Sequence, residues 1–259
     1  MVFLMDIFHA FILGIVEGVT EFLPVSSTGH LILVSQFLHL PETEFLKTFE
    51  ISIQLGAILA VVILYWRLLF LNNEVIKRLI VAFVPTAVIG AVAYKSIKLL
   101  LGSEAVVLWS LLLGGIILII FELLHKEKDD TFEDVAALPF KTTFFIGLFQ
   151  SIAMIPGVSR SGATIVGGLL LGIKRKTIVE FSFLLAVPTM AAATGLDLLK
   201  NASAFSMDQL GILSVGFVTA GIVAFLSIKF LLRFVQTHTF IPFGIYRIVL
   251  ALLFFVFIL

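Results

Sequence analysis

The sequence predicts an all-α, polytopic integral membrane protein with six transmembrane helices plus two re-entrant helical hairpins in an inverted-topology repeat. Three observations predict it. The chain is 60% hydrophobic and only 13% charged, whereas a soluble domain carries about a quarter charged residues. Its mean hydropathy is +1.18. Apolar stretches of bilayer-spanning length, about 20 residues each, recur along all 259 residues.

Six segments read as full spans: 49–70, 78–100, 105–124, 177–199, 208–235 and 242–259. Two others, 7–38 and 143–172, are interrupted by Leu23-Pro24-Val25-Ser26-Ser27-Thr28-Gly29 and by Ile155-Pro156-Gly157-Val158-Ser159-Arg160-Ser161-Gly162. Proline and glycine end a helix there, and serine or threonine can cap the next. Each half is then too short to cross a bilayer. Re-entrant hairpins with their broken tips buried in protein account for both segments.

The two halves repeat. At a shift of 133, Gly14-Ile15-Val16-Glu17 falls on Gly147-Leu148-Phe149-Gln150, and Val25 to Gly29 falls on Val158 to Gly162. Glu50-Ile51-Ser52 matches Glu180-Phe181-Ser182 at 130, and Gly90 to Lys98 matches Gly221 to Lys229 at 131. Residues 1–125 form the first copy, 126–141 a hydrophilic linker and 142–259 the second copy. One hairpin and three spans per copy is an odd number of crossings, so the second copy is inverted and the tips meet near the midplane.

Charge sets the expected orientation. Arg67, Lys77, Arg78, Lys126, Lys128, Lys141, Lys174, Arg175, Lys176, Lys229, Arg233 and Arg247 flank one side, against Lys47, Lys95, Lys98 and Lys200 on the other. By the positive-inside rule the first side is cytoplasmic and both termini lie outside. The Lys174-Arg175-Lys176 run reads as a topology signal. Zero net charge argues against nucleic acid as partner, and zero cysteines exclude disulfides and thiolate metal sites. The first apolar run contains Glu17 and Glu21 and lacks a basic leader, so it does not read as a cleavable signal.

Glu17 and Glu21, four apart, share one helical face. A charge at bilayer depth costs at least about 2.5 kcal/mol, so this pair reads as a metal or proton site unless it lies among headgroups. Carboxylates with nearby hydroxyls suit a hard divalent cation, Mg²⁺ or Ca²⁺. Ser26, Ser27, Thr28 and His30 sit where the first hairpin re-enters its second helix. Their hydroxyls can cap that helix, and the three-residue spacing lets His30 approach Ser27 as a base. Arg160 is the one cation that cannot be placed near a membrane face. Glycines, hydroxyls and free N–H groups around it at a helix start favour an anion, and its planar fork suits phosphate. It can also neutralise Glu17 or Glu21, and the two roles are compatible. Acids, metal and phosphate at membrane depth imply a substrate with a phosphate head and a lipid tail.

At these residues the chain resembles the undecaprenyl-diphosphate phosphatase family of bacitracin resistance. The first family signature reads here Glu17-Gly-Val-Thr-Glu21-Phe-Leu-Pro24-Val-Ser26-Ser27-Thr-Gly-His30, and the second Pro156-Gly-Val-Ser159-Arg160-Ser161-Gly-Ala-Thr164. Both are intact. The resemblance implies hydrolysis of a polyprenyl diphosphate to the monophosphate lipid carrier used in cell-wall synthesis, with a divalent cation, in the bacterial inner membrane. It assigns Glu17 and Glu21 to metal and diphosphate, and Arg160 to phosphate with Ser159 and Thr164. Ser27 and His30 would then perform the chemistry, with Glu21 as the other candidate base. Ser26, Thr28 and Ser161 are further candidates for substrate contact. The site is expected to open to the outer face. A homodimer is left open, and a secondary transporter or polyprenyl-phosphate flippase on the same repeat is the rival reading.

Overall fold

The computed structural model describes residues 5–101, 103–126, 132–200 and 209–257. Of the cations counted above, Lys128 lies outside them, as do the side chains of Lys98 and Lys200.

The first hairpin is α1 (Ile7–Thr20) and α2 (Ser27–Phe37). Asp6 starts α1 by accepting from the His9 amide, which holds its carboxyl below the usual carboxylate range, while the His9 ring accepts from the Asp6 amide. Next come α3 (Glu44–Leu71), α4 (Asn73–Val92), α5 (Tyr94–Leu101) and α6 (Glu104–Leu124). Side chains of Thr43, Asn72 and Ser103 cap α3, α4 and α6, satisfying N–H groups that a helix start leaves orphaned. The second hairpin is α7 (Phe140–Ile152) and α8 (Arg160–Leu170), followed by α9 (Arg175–Lys200), α10 (Leu210–Phe234) and α11 (Ile241–Phe257).

The hairpin helices have 14, 11, 13 and 11 residues. At 1.5 Å per residue they reach roughly 16–21 Å, well short of a hydrocarbon core of about 30 Å. Among the described residues, five helices (α3, α4, α6, α9 and α10) are long and apolar enough to cross a membrane. The sixth expected span, 242–259, appears as the 17-residue α11. The expected span 78–100 is two helices instead. α4 starts at Asn73 and ends at Val92, and Ala93 breaks the chain before α5. Lys95 and Lys98 in α5 explain the break, because charges on a helix that stayed in the hydrocarbon would be costly.

α10 lies against both α1 and α3, α4 lies against α7 and α9, and α6 pairs with α11. α3 meets α9 between these groups. In lipid such helices are held by packing and interhelical hydrogen bonds, since the surrounding tails are as apolar as the side chains. A buried cluster that includes Phe22, Leu23 and Val25 of the first tip also takes in Phe181 and Phe183 of α9, with Phe22 edge-on to Phe183.

The turns assigned by charge to one side are joined to each other. Arg78 at the start of α4 donates to the Leu138 carbonyl (2.6 Å), and Thr177 donates to the Glu133 carbonyl (2.9 Å). Phe132 bridges Ile173. Arg175 pairs with Glu122, which also accepts from the Phe240 amide (3.1 Å). Arg175 and Lys174, which pairs with Glu133, thus hold these turns together besides carrying charge. The expected linker 126–141 itself contains a short 3₁₀ turn, Val135–Ala137, which Asp134 caps.

Candidate active site

The two broken tips meet. Ser161 Oγ donates to the Leu23 carbonyl (2.8 Å), and Arg160 Nη2 donates to Glu21 Oε1 (3.0 Å). Ser26 and Ser159, the residues before α2 and α8, both hold positive φ (71° and 79°). Such backbone costs of order 1–3 kcal/mol for a non-glycine residue and clusters at functional sites. Gly157 (φ 88°) makes the sharp turn in the second tip, where a Cβ would also press on the Val107 carbonyl at 2.7 Å. The N-termini of α2 and α8 consequently point at one cavity of about 180 Å³, lined by Glu21, Ser26, Ser27, Thr28, Ser159 and Arg160. Two helix starts facing one space offer unsatisfied N–H groups and positive dipole ends to an anion.

Within that cavity Glu21 is the junction. Its Oε2 accepts from Ser27 Oγ (2.6 Å) while its Oε1 accepts from Arg160. Arg160 also donates from Nη1 to the Ser182 carbonyl (2.9 Å) and lies over the Phe22 ring at 5.5 Å. Its Nε has no hydrogen-bond partner although buried. Glu17, one turn before Glu21, is 0% exposed, and neither of its carboxylate oxygens has a partner. A buried carboxylate in that state demands a compensating group. Among the described residues no three or more His, Cys, Asp or Glu side chains gather as a metal site.

Three expectations change. The Ser27 hydroxyl goes to Glu21, and His30 goes elsewhere: its Nδ1 donates to the Ser26 carbonyl (2.7 Å) and its Nε2 meets the Tyr246 hydroxyl (2.7 Å), with the rings stacked. On a helix start, a side chain three positions on is drawn to the carbonyl four residues back as readily as to the hydroxyl. Thr164 does not line the cavity. Its hydroxyl bonds the Arg160 and Ser161 carbonyls and Ser182 Oγ (2.6 Å), which fastens α8 to α9. Ser161 joins the tips and contacts Ser159 Oγ (3.1 Å). Of the candidate caps, Ser159 accepts from the Gly162 amide (3.1 Å), whereas the Ser26 side chain makes no capping bond and Ser26 lines the cavity.

Sequence reasoning missed Gln54 on α3, Ala153 and Met154 beside the second tip, and Met190 on α9, which also line the cavity. Gln54 is an amide inside a span, one turn after Glu50 and two residues after Ser52, and that polar run was its signal. It also misplaced Arg247. Counted above as a flanking cation, Arg247 is 2% exposed and donates to backbone carbonyls of both tips and of α6. Its position seven residues into α11, among apolar neighbours, was the signal.

A profile of the family described as "Bacitracin resistance protein BacA" matches residues 10–253. The chain is 55% identical to the undecaprenyl-diphosphatase of Sulfurihydrogenibium sp., over 97% of this chain and 99% of that one. It is 54% identical to the undecaprenyl-diphosphatase of Wolinella succinogenes, over 96% and 97% of the two chains. With that of Aquifex aeolicus it shares 53% identity over 97% and 98%.

Proposed function

The chain belongs to the BacA family of bacitracin resistance proteins, and from that premise we propose how its two hairpin tips remove a phosphate from undecaprenyl diphosphate. It is a bacterial multi-span membrane protein and an undecaprenyl-diphosphatase, giving undecaprenyl phosphate and inorganic phosphate. The product is the lipid carrier that cell-wall synthesis reuses.

The observation that carries the mechanism is the chain Ser27–Glu21–Arg160, which spans both tips in bonds of 2.6 and 3.0 Å. A cavity of about 180 Å³ is smaller than a drug-sized pocket, so it takes the diphosphate head while the prenyl tail stays in the bilayer. The N-termini of α2 and α8, with the Arg160 fork, receive the terminal phosphate. Glu21 takes the Ser27 proton as Ser27 Oγ attacks the terminal phosphorus. The bond from that phosphorus to the bridging oxygen breaks, and undecaprenyl phosphate leaves. Glu21 passes that proton to the departing phosphate. The carboxylate so restored takes a proton from the water that hydrolyses the phosphoserine and returns it to Ser27 Oγ as inorganic phosphate leaves. His30, occupied by Ser26 and Tyr246, steadies the strained Ser26 backbone in this reading. Ser26 and Thr28 from one tip and Ser159 from the other contact the phosphates, while Ser161 and Thr164 act by holding α8 in place.

The unpartnered Glu17 carboxylate fits a divalent cation, with Glu21 as the neighbouring ligand. Two carboxylates, with no third His, Cys, Asp or Glu gathered beside them among the described residues, suit Mg²⁺, which commonly shares its shell with substrate phosphates, better than Ca²⁺, which is usually caged. When bound, the cation neutralises charge on the diphosphate.

The two halves are inverted copies in this reading. α1 lies on α10 as α7 lies on α4, and Ser26 and Ser159, 133 apart, share one unusual backbone geometry. Eleven flanking cations against four, with Arg247 removed from the count, keep the 125–141 side cytoplasmic and the termini outside. The test is phosphate release from undecaprenyl diphosphate by purified protein, with acid quench to trap phosphoserine at Ser27. A protein that only moved lipid would release none. Turnover by Ser27→Ala within about tenfold of wild type, less than loss of a general base costs, would make water the nucleophile.

A further inference from the structure

We infer that Arg247 is a positioning residue that sets the register of the two hairpin tips, an inference that rests on the diphosphatase reading. It belongs to neither signature and lies on α11, outside both hairpins. Its guanidinium nevertheless reaches both of them. Nη1 donates to the Val158 carbonyl (2.8 Å) and the Pro24 carbonyl (3.4 Å). Nη2 donates to the carbonyls of Gly157 (2.9 Å) and Ser110 (2.8 Å), and Nε to that of Leu111 (3.4 Å).

Pro24 and Gly157 are separated by 133 residues, the offset that relates the two tips throughout. One side chain therefore holds the same carbonyl of each copy. Both carbonyls lie two residues before a positive-φ serine, Ser26 or Ser159. Each of those serines launches the helix that carries Ser27 or Arg160. A shift between the tips would move the attacking hydroxyl relative to the guanidinium that receives the phosphate. Arg247 has no ion-pair partner among the described residues, so its bonds are spent on backbone oxygens alone. Only a guanidinium supplies five N–H donors in a rigid plane, whereas a lysine presents three at one point. On the preceding residue, the Tyr246 hydroxyl engages His30 (2.7 Å) in the first tip.

Gly114 on α6 makes room for this clamp. A Cβ there would collide with Nη2 and Cζ of Arg247. Gly114→Ala therefore pushes the guanidinium off its carbonyls without changing charge, and Arg247→Lys keeps the charge while losing the fork. Phosphate release from undecaprenyl diphosphate is measured for both variants and wild type, per folded molecule judged by size exclusion and thermal melting. A misplacement of about 1 Å can cost about 10²-fold. The expected result is a kcat loss of about tenfold to 10²-fold in both variants, with KM within about threefold of wild type. A residue that only supported the fold would lower the folded fraction and leave kcat per folded molecule unchanged. A folded variant of either kind with kcat within about twofold of wild type, well inside that range, would overturn the inference. So would a loss accounted for by unfolded protein, or failure of both variants to fold. Wild-type protein that releases no phosphate would instead overturn the activity itself, and this inference with it.

Discussion

Glu21→Gln separates chemistry from architecture at this site. The substitution keeps the side chain's shape but removes its charge and its ability to take a proton. Both partners of the Arg160–Glu21 pair are nearly out of solvent, with side chains 12% and 6% exposed, so screening is weak. The glutamine carbonyl still accepts from Arg160, while its amide turns to Ser27, whose hydroxyl becomes the acceptor. A charge-assisted bond of about 1.5–3 kcal/mol becomes a neutral one of about half that. The fold should therefore lose about 0.75–1.5 kcal/mol for each of the two bonds and survive in detergent. Loss of the base should cost 10²–10⁴-fold in kcat, about 2.7–5.5 kcal/mol in the barrier. Arg160, relieved of a competing carboxylate, should bind inorganic pyrophosphate as well as wild type or better. The assay is phosphate release at saturating Mg²⁺, beside a pyrophosphate titration and a melting curve. A kcat within about tenfold of wild type would refute the base assignment. Recovery at high Mg²⁺ would reassign Glu21 to the metal alone.

Arg160→Lys should lose about 10–150-fold in kcat/KM, the worth of one charged hydrogen bond of about 1.5–3 kcal/mol, and near-normal turnover would reduce Arg160 to a counter-charge for Glu21. Chelation should abolish phosphate release and Mg²⁺ should restore it, with Glu17→Gln needing more Mg²⁺; full activity in excess chelator would exclude the cation. In this cysteine-free chain, a cysteine at exposed Pro41 should react with an impermeant thiol reagent in intact cells, and one at exposed Thr237 should not. The opposite labelling would reverse the topology.

Bilayer length, helix breakers and charge are local properties, and what depends on them was legible in the chain. The two hairpins break at Pro24 and Pro156–Gly157, and α3, α6, α9 and α10 fall within a few residues of the expected spans. Span 78–100 failed because a hydropathy window averages Lys95 and Lys98 into their apolar neighbours, whereas the backbone must resolve each charge separately. The signature residues Glu21, Ser27 and Arg160 do come together where the two tips meet. Spacing could not say where their side chains point, since a hydroxyl and a carbonyl one turn away compete for the same imidazole. That contest gave His30 to Ser26 and Tyr246, left Ser27 to Glu21, and turned Thr164 towards Ser182. Arg247 shows the same limit over a longer range. Its partners stand 89 to 223 residues away, and they are backbone carbonyls, which every residue possesses. A sequence marks an arginine by its charge, and only the packing of α11 between α6 and the tips determines which oxygens it can reach.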